Sequence, residues 1–282
     1  MHQRRCRDRP FLGMSDFKLP LGRPALMAIL NVTPDSFSDG AQFRSVSEAV
    51  DAAKLMRDQG ADLVDVGGES TRPGSQPVGL DAELERTIPV VEALSRLDIP
   101  VSIDTMKPEV ASRALDAGAF MVNDVNGLRA EKMLEVCVGS QCHVCIMHML
   151  GEPRTMQENP VYDDVVKDVR AFLMRQATKA EDSGLAAEKI WIDPGIGFGK
   201  TLEQNVTLLR QLETFAASGY PVVVGLSRKS MVGKLLGGAE VADRIEGSIA
   251  GAVVAMMRGA RILRVHDVKA TRRAIDVAAA LI

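Results

Sequence analysis

The 282-residue sequence predicts an α/β fold, a single closed (β/α)8 TIM barrel with long active-face loops after strands one and two. Three observations carry this prediction. Apolar, β-branched-rich runs recur eight times; each stops on a polar or charged residue; and a stretch with helical spacing follows every stop but the last. Strands alternating with helices read as βαβ units on a parallel sheet. Eight such units in a chain of roughly 250 residues suit closure into one barrel.

Residues 25–30 form the first run, stopping on Asn31, and Ser47-Glu48 opens the helix behind it, with Ala49, Ala53 and Met56 facing inward. The second run, 63–68, stops on Glu69; the third, 101–103, stops on Asp104, and Pro108 then marks a helix start. Run 120–122 stops on Asn123, and run 144–147 on His148. After His148, Tyr162, Val165, Val166, Val169, Phe172 and Leu173 recur at helical spacing and mark one buried face. The last three runs, 189–192, 222–226 and 262–263, stop on Asp193, Ser227 and Arg264. Gly60, Gly118, Gly184 and Gly219 fall where helices should end. The connections 33–45 and 70–80 carry Gly, Pro, Ser and Arg in place of a helix pattern, and long loops on a barrel face are usually functional. Catalytic groups of such barrels sit at the C-terminal strand ends, so the polar stops are the candidate active site.

Composition narrows the function. A net charge of −3 argues against a nucleic-acid groove or a membrane-binding face. No run approaches the ~18 apolar residues of a membrane span. Residues 1–15, basic at Arg4, Arg5, Arg7 and Arg9, lack a following apolar signal segment and read as a disordered leader before a barrel over 16–282. Cys6, Cys137, Cys142 and Cys145 make no secreted disulfide framework. Cys142 and Cys145 lie three apart in a strand and so face opposite sides, which suits buried thiols of a cytoplasmic protein better than a zinc pair.

Asp193 opens the string Asp-Pro-Gly-Ile-Gly-Phe-Gly-Lys. A phosphate loop needs glycine where Pro194 stands, and the unit sits too late in the chain for a dinucleotide fingerprint. What remains is a plain turn, or a strand-end carboxylate followed by backbone that a flat ligand can approach. Asp104, Asn123 and Asp193 converge on the barrel mouth. Each alone could cap a helix; together they suit a ring edge with paired N–H donors and a carbonyl, such as an aminopyrimidinone. Ser227-Arg228-Lys229-Ser230 and Arg264-Val265-His266 follow strands seven and eight, where phosphate-using barrels hold their anion. Arginine forks onto phosphate oxygens, Lys229 and His266 add charge or donors, and a helix starting near Ser230 presents free N–H groups. The string 31–40 offers amide and carboxylate oxygens that suit either a turn or Mg2+ shared with a phosphate. Met147 and His148 read as core or as the floor of a flat-ring pocket.

Strings 31–40, 67–74, 102–105, 122–125, 147–149, 193–200, 225–230 and 264–267 together resemble the dihydropteroate synthase family of bacterial folate biosynthesis, in order and one set per strand. The resemblance implies a transferase that condenses 7,8-dihydropterin-CH2 diphosphate with p-aminobenzoate, and a sulfonamide target. It implies that Asp104, Asn123, Asp193 and Lys229 hold the pterin, with Met147, Phe198 and Gly225 around it. Asn31, Thr71, Arg264 and His266 would hold the diphosphate, Asn31 also meeting Mg2+. Arg72, Pro73 and Ser230 would line the p-aminobenzoate site, with Asp35 near the reacting carbon. A cytoplasmic homodimer is expected, with no nucleic-acid or membrane partner. Ala41 and Leu150 depart from the family's Gly and Gln and touch loop behaviour more than chemistry. Two rivals share part of the pattern: a pterin-binding module that passes a methyl group to a corrinoid, and a non-catalytic paralogue. The first has no use for an anion site at Ser227–Ser230 and Arg264–His266; the second has none for an intact set of polar strand ends.

Overall fold

The computed structural model describes residues 17–33, 45–71 and 74–282. Strands and helices alternate along it: β1 (Ala25–Asn31), α1 (Val46–Asp58), β2 (Leu63–Gly67), α2 (Leu80–Ser95), β3 (Val101–Asp104), α3 (Pro108–Asp116), β4 (Met121–Asp124) and α4 (Glu131–Ser140). They continue as β5 (His143–Met147), α5 (Val165–Asp182), β6 (Ile190–Asp193), α6 (Leu202–Arg210), α7 (Glu213–Ala216) and β7 (Val222–Val224). The last turn of the barrel holds α8 (Ser230–Leu235), α9 (Ile245–Met257), β8 (Ala260–Val265) and α10 (Val268–Leu281). Each strand pairs in parallel with the next, and β8 pairs with β1, closing the barrel.

Period-two alternation sorts the strand residues into two cores. Outward-facing Leu26, Ala28, Leu30, Val64, Val66, Val101, Ile103, Val144 and Ile146 pack beneath the helices. Inward-facing Met27, Leu63, Met121, Cys145, Trp191, Val223 and Ile262 fill the lower barrel. Phe17 plugs the bottom, its ring stacked 4.8 Å from that of Phe120. Two residues further along their strands, Leu63 gives way to Asp65, Met121 to Asn123, Trp191 to Asp193 and Ile262 to Arg264. The interior thus changes from apolar to polar at one level, just below the C-terminal strand ends. Cys142 belongs to the outer core and Cys145 to the inner one, so the two thiols do face opposite sides of β5.

Local signals place the helices. Ser45, not Ser47, caps α1 by accepting from Glu48 N–H, and Pro108 occupies the first turn of α3. Two corrections apply. A helix does follow the last strand: α10 buries Val268, Thr271, Arg272 and Ile275, a face whose two polar members hid its periodicity. Tyr162 precedes α5, whose cap is Asp164, and its hydroxyl instead donates to Gly199 O at 2.8 Å. Between the described segments, 34–44 and 72–73 are not described, so Asp35, Arg72 and Pro73 lie outside the described residues, as does the leader 1–15. No helix among the described residues is long and apolar enough to cross a membrane.

Candidate active site

A cavity of about 340 Å3 opens at the C-terminal end of the barrel. Of the predicted residues, Asn31, Thr71, Asp104, Phe198, Gly225, Lys229, Ser230, Arg264 and His266 line it. Asn123, Met147 and Asp193 are buried at the ends of their strands beside it. Met147 joins Val125, Met149 and Met156, with Met106 and Phe198 against them, in a soft apolar cluster beside the cavity.

Arg264 organises the centre. Its Nε donates to Asp65 Oδ2 at 2.6 Å and its Nη2 to Asp104 Oδ2 at 2.7 Å. Asn123 Nδ2 donates to the same Asp65 oxygen at 3.0 Å. Asp65 Oδ1 and Asp104 Oδ1 are buried with no hydrogen-bond partner among the described residues. Of these two orphan acceptors, Asp104 belongs to the cavity lining, where an N–H donor of a ring edge would satisfy it. Burial pushes the Asp104 carboxyl up to about 7; Arg264 pulls it back and Asp65 pushes it further. Asp193 is also raised by burial, against Lys229, the Gly195 N–H, Lys200 and Arg264. Lys229 is lowered by the same burial to about 8, with Asp193 opposing. Its ammonium bonds Ile196 O and lies 4.5 Å over the Phe198 ring. Gly225 lies against the side chains of Arg264 and Lys229, where a Cβ would make ordinary contacts at 3.5–3.9 Å.

The anion-binding wall differs from the expectation in one respect. Arg228 does not face the cavity as a free fork, because Nε and Nη2 clasp Asp267 at 2.9 and 2.6 Å, pinning the loop after β7 to the one after β8. Arg264, His266 and Lys229 line the same wall, as does Arg244, which donates to Ala239 O and Arg228 O. Ser227 Oγ accepts from His266 N–H at 3.2 Å and lies 3.1 Å from Nδ1. The hydroxyl's own proton can then go to Nδ1, placing the imidazole proton on Nε2. Ser230 is the first residue of α8.

Of the glycines of 195–199, Gly197 lines the cavity, while Gly195 and Gly199 differ from expectation. At Gly195, with φ +68°, a Cβ would lie 1.8 Å from His148 O, and at Gly199, with φ +63°, one would lie 2.7 Å from Leu150 Cβ. Both therefore serve the close packing of this loop against the loop after β5, not approach to a ligand. Sequence reasoning missed Asp65, which sits inside an apolar run, and two lysines, one buried and one half-buried. One is Lys200, 3% exposed. The other is Lys107, which bridges Glu69 and the fully buried Glu83, while Thr105 Oγ1 donates to Glu83 at 2.7 Å. With Arg86 donating to Gly68 O at 3.0 Å, this network anchors the start of the loop after β2.

The fold and this site define a (β/α)8 barrel whose active-face cavity is built over buried carboxylates. The family model of pterin binding enzymes matches residues 27–266. Dihydropteroate synthase of Escherichia coli (strain K12) is 48% identical over 260 residues, 92% of each chain. The crystal structure of Yersinia pestis dihydropteroate synthase with a sulfonamide drug complex superposes with a TM-score of 0.90 at 44% identity, covering 94% of this chain and 97% of that one. Burkholderia cenocepacia dihydropteroate synthase complexed with 7,8-dihydropteroate does so with a TM-score of 0.86 at 47% identity, covering 95% and 94%. The chain belongs to the pterin binding enzymes and, within them, to the dihydropteroate synthase family.

Proposed function

We propose that this barrel condenses 7,8-dihydropterin-CH2 diphosphate with p-aminobenzoate to 7,8-dihydropteroate and diphosphate, in folate biosynthesis. The observation that carries the reading is the ring of Asp65, Asp104, Asn123 and Asp193 beneath a cavity whose wall holds Lys229, Arg264 and His266. Carboxylates take the N–H edge of the pterin, and the cationic wall takes the diphosphate. Arg264, oriented by two carboxylates, keeps Nη1 clear of any hydrogen bond from the described residues and offers it to the leaving group. His266 lines the same wall. As the methylene C–O bond breaks, its electron pair leaves with the diphosphate, and these groups meet the growing negative charge. Positive charge on the carbon spreads into the electron-rich pterin, which Asp193 and Asp104 orient. The aniline nitrogen then forms the C–N bond and gives up a proton to solvent or diphosphate. An SN1-like path needs no strong base. That agrees with a site in which the buried His148 is held well below the usual imidazole range, at about 2, by burial and by Lys200.

Asn31 lines the cavity with one hard oxygen, and no cluster of three or more His, Cys, Asp or Glu side chains that could hold a metal occurs among the described residues. A single hard oxygen from Asn31 fits Mg2+ that arrives with a diphosphate. Bound there through Asn31 and substrate oxygens, Mg2+ would add charge stabilisation at the leaving group. Thr71 and Ser230 supply further polar contacts, and Arg72, Pro73 and Asp35 keep the p-aminobenzoate and loop roles given above. A homodimer is supported by exposed Val254 and Met257 on α9 and Val277 and Leu281 on the adjoining α10. Buried free thiols at Cys137, Cys142 and Cys145 support a reducing, cytoplasmic setting. The test is diphosphate release from both substrates with Mg2+. No release by folded protein would overturn the assignment.

A further inference from the structure

Lys200 ends the Asp193–Lys200 string and takes no part in the chemistry above. Its side chain is buried, and no carboxylate among the described residues pairs with it. Leaving an ammonium in that state costs several kcal/mol unless its protons are all used. They are: Nζ lies 3.1 Å from His148 Nδ1 and 2.9 Å from both Gly195 O and Phe198 O, with His148 O at 3.4 Å. Burial lowers the lysine to about 7 and the Asp193 carboxylate opposes that; Nζ donates to Gly195 O and Phe198 O, and as the ammonium it has its third proton for His148 Nδ1.

Two of the residues it grips are those that hold Asp193. Gly195 N–H donates to Asp193 Oδ1 at 2.7 Å, and His148 N–H donates to the Asp193 carbonyl at 3.0 Å. The third, Phe198, lines the cavity under Lys229. We propose that Lys200 is a positioning residue of the pterin pocket, which fixes the Asp193 carboxylate and supplies a buried positive charge that keeps it ionised, without touching substrate. The inference rests on the reading of Asp193 as the pterin's partner. A neutral donor would serve a simple loop staple equally well; the charge is what distinguishes the two roles.

The electrostatic surroundings are specific. Asp193 faces Lys229 from the loop after β7, Arg264 from β8, Lys200 from its own loop and the Cys145 thiol from β5. Lys200 faces Asp193, Lys229, Arg129 and His148. Lys229 lines the cavity and Arg264 is shared with Asp65 and Asp104, so both are drawn on by other partners. Lys200 lies behind the pocket, where its charge acts on Asp193 whether or not substrate is bound.

A double-mutant cycle decides the matter, using calorimetric binding of 7,8-dihydropterin-CH2 diphosphate without p-aminobenzoate. Lys200→Met in the otherwise native enzyme should weaken binding about tenfold, which is what one decade of carboxylate acidity is worth. In an Asp193→Asn background the same change should cost less than about twofold, the ordinary error of additivity. An equal loss in both backgrounds, or none in the native one, would overturn the role of Lys200. An Asp193→Asn variant that binds the pterin as tightly as the native enzyme would instead overturn the reading of Asp193. Thermal melts establish that each variant is folded. If Lys200→Met does not fold, Lys200→Gln runs the same cycle with a neutral donor, and native affinity in that variant equally overturns the need for charge.

Discussion

Arg264 Nε lies 2.6 Å from Asp65 Oδ2, and this pair, wholly inside the barrel mouth, sets the position of everything above it. Asp65 is fully buried, and its Oδ2 also receives Asn123. Removing one partner of a buried pair costs more than the pair is worth, because the other is left desolvated and unmatched. Asp65→Ala should therefore lower stability by about 3 kcal/mol, some of the Arg264 charge remaining covered by Asp104. It should also cut kcat, since Arg264 loses the contact that aims it at the leaving group. Urea unfolding checks the first effect, and native stability in the variant would show that the pair carries nothing.

The pH dependence of substrate capture follows from two displaced groups. Asp104 ionises only above about 7, and Lys229 keeps its proton only below about 8. Capture of the pterin diphosphate uses the charged form of both. The kcat/KM profile should be a narrow bell, falling on the acid side as Asp104 takes up a proton and on the alkaline side as Lys229 loses one. Because Asp104 titrates together with its neighbours, the flanks belong to the cluster. Stability runs the other way: a carboxyl raised in the folded state favours folding at low pH, and that contribution fades between about 4 and about 7. Asp104→Asn should thus lose pterin affinity and flatten this pH dependence of stability, while giving up its ion pair with Arg264. A kcat/KM that stays flat from pH 6 to 9 would contradict the assignment of these two groups.

These residues were not equally legible in the sequence. Asp104, Asn123 and Asp193 stand out because each interrupts an apolar run, and the barrel then brings them to one level. Asp65 interrupts nothing: it is flanked by valines and followed by Gly67, so the run continues through it. Only the period-two alignment of Leu63, Asp65 and Gly67 on one strand face could have flagged it. Lys200 was hidden for the opposite reason, since a lone lysine after three glycines reads as a solvated loop. Its burial depends on two loops from different strands meeting, which no local pattern encodes. Arg228 looked like a phosphate fork until Asp267, 39 residues away, was seen to occupy it. The eight strands were readable throughout, because burial on both faces leaves nearly continuous apolar runs.

Turnover should require Mg2+ although folding does not. Asn31 is the one protein oxygen proposed for the ion, and a single neutral ligand holds Mg2+ too weakly without substrate phosphates. Chelation with EDTA should abolish diphosphate release and leave the melting temperature of the substrate-free protein unchanged. Full activity after metal analysis has shown removal would count against the role of Asn31.

Substrates should bind in order, p-aminobenzoate after the diphosphate. The loop that carries Thr71 is anchored at its start, where Lys107 holds Glu69 and Glu83 and Arg86 holds Gly68 O. Beyond Thr71 come Arg72 and Pro73, the proposed walls of the p-aminobenzoate site. Fixing such a loop costs about 1–2 kcal/mol per residue, and one small benzoate ring offers too few contacts to offset that for several residues. A diphosphate on Arg264 and His266 meets Thr71 in the same cavity and can order the loop first. The second substrate then meets a formed pocket, and its apparent affinity rises by the fraction of protein already competent. Calorimetry of p-aminobenzoate should accordingly give a dissociation constant at least about tenfold lower with Mg2+ and diphosphate present than without. Lys107→Met, which frees the anchor of the loop, should weaken p-aminobenzoate more than pterin. Equal dissociation constants with and without diphosphate would sink ordered binding and leave the condensation itself untouched.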